Sequence, residues 1–292
     1  MGAPFLEKRL PPNFMLMAME KGRRLALLKK GLDGLYKRFD RSLLSPDPLE
    51  CVPTRGKFED IELSAFLAAT FAYGRADLIV KNVRGILAEL GEHPHRALMD
   101  GAYKTRFKGF KYRFHKRPDI LWLLERLCAI YKKFGAIENA YCAAPGTAEE
   151  RLERFATLFR EKGKPLTQAQ KFLVTSPASG ACKRMNLFLR WMVRNDAVDL
   201  GLWTKVKPAE LIIPLDVHVH RIAGRLKLVG PKAAANFKTA RELTDTLKRF
   251  NEEDPVRYDF AICSLGKLGH CLKQPDPASC LSCALAAVCK KS

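Results

Sequence analysis

Apolar residues three and four positions apart recur along this chain, a spacing that only a helix turns into a continuous face. Leu25, Leu28, Leu32, Leu35 and Phe39 make one such stripe within residues 15–39, with Lys and Arg on the other faces. Further helices are expected over 60–73, 77–90, 118–134, 147–161, 167–175, 182–195, 216–227 and 237–250. Pro118 suits a first helical turn, and Thr147 with Glu150 has the spacing of a capping box. Gly74, Gly91 and Pro94 act as stops, and Gly- or Pro-rich loops fall at 143–146, 163–165, 176–180, 228–231 and 251–255. No stretch alternates in the β manner, so the expected fold class is all-α.

The length of 292 residues fits two compact domains, or one long domain with an appendage. A hydrophobic share of 47% and a charged share of 28% exclude wholesale disorder and a disulfide miniprotein. The longest apolar run, 63–73, is broken by Ser64 and Thr70 and falls short of the ~18 residues of a membrane span. Glu7, Lys8 and Arg9 precede any apolar stretch, so no signal-peptide core is read. Met1-Gly2 fails the myristoylation pattern because Leu6 occupies the Ser/Thr position. A cytoplasmic, nucleoid-associated protein is therefore expected.

Charge narrows the partner. There are 51 Lys and Arg against 31 Asp and Glu, a net +20. Such an excess repels itself in a compact chain, and phosphate backbones relieve it through counterion release. An anionic membrane would meet the same charge, but no hydrophobic tail or long basic amphipathic anchor accompanies it. Residues 101–118 carry seven Lys or Arg and no acid, interleaved with Tyr103, Phe107, Phe110, Tyr112 and Phe114. The four, three, four spacing of Tyr103, Phe107, Phe110 and Phe114 predicts the buried stripe of an amphipathic helix. Lys108, Lys111 and Arg113 are then left to face nucleic acid.

Four of the nine cysteines fall in the last 22 residues, as Cys271-x8-Cys280-x2-Cys283-x5-Cys289. Thiols packed into one tail read as ligands of one centre rather than as a disulfide framework. One Cys-x-x-Cys flanked by single cysteines on longer arms favours a 4Fe-4S cluster, with zinc as the alternative. Two further segments stand out. Pro177-Ala-Ser-Gly180-Ala-Cys-Lys183-Arg184 feeds a turn into a helix whose start offers backbone N–H groups, Lys183 and Arg184 to an anion. Leu215-Asp216-Val-His218-Val-His-Arg221 places Asp216 at a helix N-cap, a role that capping alone would satisfy, yet leaves His218, Arg221 and Arg225 unexplained.

In chain order, the hairpin of 176–183, the Asp216 segment of 215–221 and the cysteine tail of 271–289 resemble the helix-hairpin-helix DNA glycosylase superfamily, the endonuclease III relatives, and within it a family of bacterial hypothetical proteins. The likeness covers about residues 58–289. It implies a two-domain helical fold, with a central domain over 57–200 holding the hairpin. The second domain is formed by 1–56 with 201–292 and holds the cysteine cluster, and DNA lies between the two. It further implies a base-excision glycosylase with AP lyase activity, monomeric, acting on double-stranded DNA. Lys183 attacks C1′, and Asp216 assists departure of the base. Gly180, Arg184, His218, Arg221, Lys108, Lys111 and Arg113 contact DNA, and Cys271, Cys280, Cys283 and Cys289 hold the cluster. The hairpin departs from the family's Pro-Gly-apolar-Gly by one lost glycine and one extra residue before the lysine. The long interval from Lys183 to Asp216 is similar to the archaeal 8-oxoguanine glycosylase branch, which favours an oxidised purine. Two rivals stand beside this reading: a non-enzymatic nucleic-acid binding protein on the same fold, and a zinc-stabilised adaptor.

Overall fold

The computed structural model describes residues 12–161 and 163–290, with side chains in the first helix from residue 22 onward. The Glu7, Lys8, Arg9 and Met1–Leu6 readings lie outside the described residues. Among the described residues there are thirteen α-helices and one two-stranded hairpin. The first helices are α1 (Pro12–Arg38), α2 (Phe58–Thr70), α3 (Ala76–Leu90) and α4 (Pro94–Met99), followed by β1 (Lys111–Tyr112) and β2 (His115–Lys116). Next come α5 (Arg117–Phe134), α6 (Ile137–Tyr141), α7 (Ala148–Thr157), α8 (Gln168–Leu173) and α9 (Lys183–Val193). The chain ends through α10 (Val217–Arg225), α11 (Phe237–Lys248), α12 (Asp259–Lys267) and α13 (Pro277–Leu281). None of the described helices is long and apolar enough to cross a membrane.

With one exception, each helix expected from the spacing is present, and the Thr147–Glu150 capping box forms. Four helices were not expected: α4, α6 and α13 are short turns of five or six residues, too brief for a period to show, and α12 has nine residues. The exception is the helix expected across 101–118, which is corrected. That segment is a 3-10 turn over Ala102–Thr105 followed by the β1–β2 hairpin. Phe107, Gly109 and Arg113 take left-handed φ values of 61°, 74° and 54°, which no α-helix accommodates. Of the four aromatics in the stripe, Tyr103 and Phe107 are buried, Phe110 is half-buried and Phe114 is 49% exposed, while Tyr112, outside the stripe, is buried.

The core is organised around α2, in which every residue from Asp60 to Thr70 is buried. A helix that is apolar on all faces has no solvent side, so it sits at the centre. Its one deeply buried acid, Glu62, accepts hydrogen bonds from Tyr131 Oη, Trp203 Nε1 and the backbone N–H groups of Ile137 and Glu138 at 2.8–3.0 Å. Burial nevertheless raises its pKa. One carboxylate thus joins α2, α5, the start of α6 and the segment after α9.

Two helix pairs fix where the hairpin and the Asp216 segment stand: α2 packs on α9, and α10 packs on α12, which also meets α1. The α10–α12 approach depends on Gly266. A Cβ there would lie 2.7 Å from His218 Cγ and 2.8 Å from His218 Cβ. Gly266→Ala must therefore push α12 off α10. Urea unfolding should show a loss of about 2 kcal/mol, as for other overpacked cores, and an unchanged midpoint would mean that the two helices are not held at this distance.

Candidate active site

The segment joining α8 to α9 is a tight turn. Ser176 O accepts the N–H groups of Ser179 at 2.8 Å and Gly180 at 3.1 Å, and Ser179 Oγ accepts from Ser176 N at 2.9 Å. Cys182 enters α9 in a left-handed conformation with φ 50°. Its thiol donates to Thr175 O, and burial pushes its pKa up to about 12, so it is a structural S–H rather than a nucleophile. Lys183, the first residue of α9, is half-buried and donates from Nζ to Ala72 O at 3.2 Å, just beyond the end of α2.

Two expectations for this hairpin are corrected. Arg184 does not face solvent. It is buried, donates to Phe172 O, and stacks its guanidinium over the Phe172 and Tyr73 rings at 4.2 and 5.4 Å. Burial lowers its pKa to about 10. The backbone N–H of Ala178 does not await an anion either, because Glu153 Oε1 accepts it at 2.7 Å. Gly180 remains half-buried, with open space where a Cβ would sit.

Asp216 does cap α10: Oδ1 accepts from His218 N at 2.8 Å and Val219 N at 2.7 Å. Its other oxygen remains available and accepts from Cys263 Sγ at 3.2 Å. The aspartate therefore caps with one oxygen and faces a cavity with the other. That cavity measures about 370 Å³, and Lys183, Asp216, His218, Arg190, Asp259 and Cys263 all line it. Lys183 and Asp216, 33 positions apart in sequence, are thereby brought to one space.

The sequence reading missed the contribution of α12. Asp259, Cys263 and Lys267 stand four apart, on one face of that helix, and all three line the cavity. This i, i+4, i+8 run of polar residues in an apolar segment was the available signal. Asp259 Oδ2 pairs with Arg190, while Oδ1 is buried with no partner. Burial raises the Asp259 pKa to about 7 against the opposing pull of Arg190, with Asp216 adding to the rise. Burial, Asp216 and Asp259 together hold the Cys263 thiol protonated, so it donates to Asp216 and orients it.

Arg221, expected at the DNA surface, turns the other way. It donates to Leu272 O at 2.8 Å and to Cys271 Sγ at 3.5 Å, and Arg225 makes the same two contacts at 2.7 and 3.1 Å. Both arginines of α10 thus grip the cysteine tail. Arg24 of α1 adds a bond to Val288 O, and Lys290 N bonds to Arg225 O. Cys271, Cys280, Cys283 and Cys289 line one small cavity of about 40 Å³. Leu285 N donates to Cys283 Sγ at 3.5 Å. Among the described residues, no three His, Cys, Asp or Glu side chains stand close enough to share one metal ion. The four sulfurs surround a space rather than converge on a point. Lys108, Lys111 and Arg113 are exposed on the loop around the β hairpin, as expected.

The fold and this cavity define a helical protein with a lysine and an aspartate directed at a common space. Residues 47–268, roughly three quarters of the chain, match the family described as Protein of unknown function (DUF2400), and the chain belongs to that family. No curated protein and no solved structure matches the chain.

Asp259 makes a pH test of this geometry. The folded state keeps its proton until about pH 7, whereas an unfolded aspartate releases it near ~3.9. Between those values the folded state binds more protons, so this group's contribution to stability falls as pH rises. Urea unfolding at about pH 5 and about pH 8 should show a smaller drop across the interval in Asp259→Asn than in the parent. An equal drop would place the titrating group elsewhere.

Proposed function

We propose that this protein is a base-excision DNA glycosylase with AP lyase activity, of helix-hairpin-helix type, acting on a damaged base, an oxidised purine, in double-stranded DNA. The observation that carries the reading is the shared cavity of Lys183 and Asp216, with Asp216 held by two backbone donors and the Cys263 thiol. A net charge of +20 supplies the attraction for the phosphate backbone. A nucleotide turned out of the stack would bring its sugar into the cavity. The Lys183 amine then attacks C1′ as the base departs with the electrons of the glycosidic bond. The Asp216 carboxylate stabilises the positive charge that develops on the sugar. Loss of a proton from nitrogen and opening of the sugar ring complete the imine, which sets up elimination of the 3′ phosphate.

The cysteine tail belongs to the same reading. Cys271, Cys280, Cys283 and Cys289 would hold a 4Fe-4S cluster, which when bound supplies a structural brace and a DNA-docking element. Four thiols around a space suit a group with its own bulk better than a single tetrahedral zinc, and the N–H donors of Arg221 and Arg225 complement thiolate charge. A second reading, a DNA-binding protein without catalysis, is favoured by the hairpin itself. Burial of Arg184 and occupation of the Ala178 N–H by Glu153 remove two of its contacts to phosphate.

Borohydride separates the two. Added to a reaction with duplexes carrying single lesions or an abasic site, it should trap a protein–DNA adduct in the parent and none in Lys183→Gln. Asp216→Asn keeps the helix cap, since asparagine caps as well as aspartate. It should slow base release by about 100-fold with DNA binding intact. Tight binding with no adduct on any lesion would establish the non-enzymatic reading. Protein isolated without air should be yellow-brown, with about four iron and four acid-labile sulfide per chain, and a colourless protein with one zinc would establish the zinc alternative.

A further inference from the structure

A second cavity, about 460 Å³ against about 370 Å³ for that of Lys183, opens between α3 and the loop around the β hairpin. Nothing in the proposed chemistry uses it. Its rim carries Lys81, Lys108, Lys111 and Arg113, all exposed. The one acid that lines it, Glu89, is engaged by the backbone N–H of Phe107 at 3.0 Å. The walls are apolar, with Phe110 half-buried and Leu78 48% exposed. Among them stands Asn82, whose Nδ2 is shut off from solvent and has no partner. Cations alone would suffice for a duplex backbone. An apolar wall beside those cations asks for something flat that carries negative charge next to it.

The loop is built to hold this shape. Phe107 and Arg113, non-glycine residues at its two ends, both take left-handed φ values, and Gly109 takes a third between them. Such conformations persist only where surrounding contacts over-determine them. Here they are the Glu89 bond to Phe107 N, the β1–β2 pairing, and the Tyr112 hydroxyl donating to Tyr73 O. The cations are carried on a preformed frame and not on a loose basic strand.

The two cavities are also neighbours. Ala72 O receives Lys183 Nζ, and the next carbonyl, Tyr73 O, receives Tyr112 on the other side. On α3, Ile79 lines the Lys183 cavity and Leu78 lines the second one. We propose that this groove is a second nucleotide-binding site, which takes an unpaired nucleotide of the DNA strand next to the segment that enters the Lys183 cavity. Lys81, Lys111 and Arg113 meet its phosphates, and Phe110 and Leu78 meet the base. The inference rests on the proposed DNA substrate and adds to it that the substrate is opened beyond a single nucleotide.

The test uses the full-length protein and three duplexes carrying the same abasic analogue. One is fully paired, and the others have three unpaired nucleotides on one side or the other of the analogue. At physiological salt, one unpaired duplex should bind about tenfold tighter than the paired one, the worth of about one stacked base. Leu78→Ser, at a 48% exposed position of the apolar wall, should erase that preference and leave affinity for the paired duplex within about twofold. Lys81→Glu, at an exposed position, should also erase it and should not disturb folding, which the thermal midpoint checks. Equal binding of all three duplexes by the parent overturns the proposal, as does a preference that survives both substitutions. Borohydride trapping on a true abasic site reads the proposed activity separately. Preference without trapping removes the lyase and keeps the groove, whereas trapping without preference does the reverse.

Discussion

Two arginines, Arg190 in α9 and Arg194 just past its end, each at most 3% exposed, stand among four aspartates, and the relation between the two halves of the cavity depends on that network. Arg190 meets Asp199 and Asp259, and Arg194 meets Asp196, Asp199 and Asp254. Desolvation makes such a cluster a poor source of net stability, but removing one partner leaves a buried charge uncompensated, at a cost of about 3–5 kcal/mol. The network therefore acts as a register device. Lys183 begins the helix that leads to both arginines, and Asp259 begins the helix packed against α10, whose cap is Asp216. Carboxylates outnumber guanidinium groups in the cluster, and burial raises the pKa of Asp259, whose second oxygen has no partner.

Charge is sorted by depth. The acids that organise the fold are inside: Glu62 joins α2 to three other segments, and Asp60 Oδ1 accepts the His95 N–H of α4 at 2.8 Å. The basic excess is left outside, concentrated where aromatic anchors such as Phe107 and Tyr112 hold the backbone from beneath. A chain that is strongly cationic at its surface can still be compact, because its buried electrostatics are locally balanced or biased toward acid.

The cysteine tail and the cavity share a helix. α10 is nine residues long, about 13 Å at 1.5 Å per residue. Asp216 opens it, and Arg221 and Arg225 near its far end hold the tail. Gly31 of α1 allows the tail still closer, since a Cβ there would lie 2.7 Å from Leu285 Cδ2. The helix bearing Asp216 is thus clamped at its other end by the loop that carries the four cysteines.

The positions of most long helices, the buried status of Tyr103 and Phe107, and the gathering of the tail cysteines were legible in sequence, because each follows from local spacing. So was the capping role of Asp216. Local spacing also misled: the four, three, four run of aromatics mimicked a helix where three left-handed residues make a hairpin loop. Arg184 and Arg221 were read as surface cations because a guanidinium looks solvent-facing until an aromatic ring or a carbonyl elsewhere in the chain claims it. Tertiary structure alone decided that Lys183 and Asp216 share a cavity, that α12 contributes Asp259 and Cys263 to it, and that α3 and the hairpin loop enclose a second one. Those facts depend on contacts between residues tens to hundreds of positions apart, and no periodicity within one segment carries them.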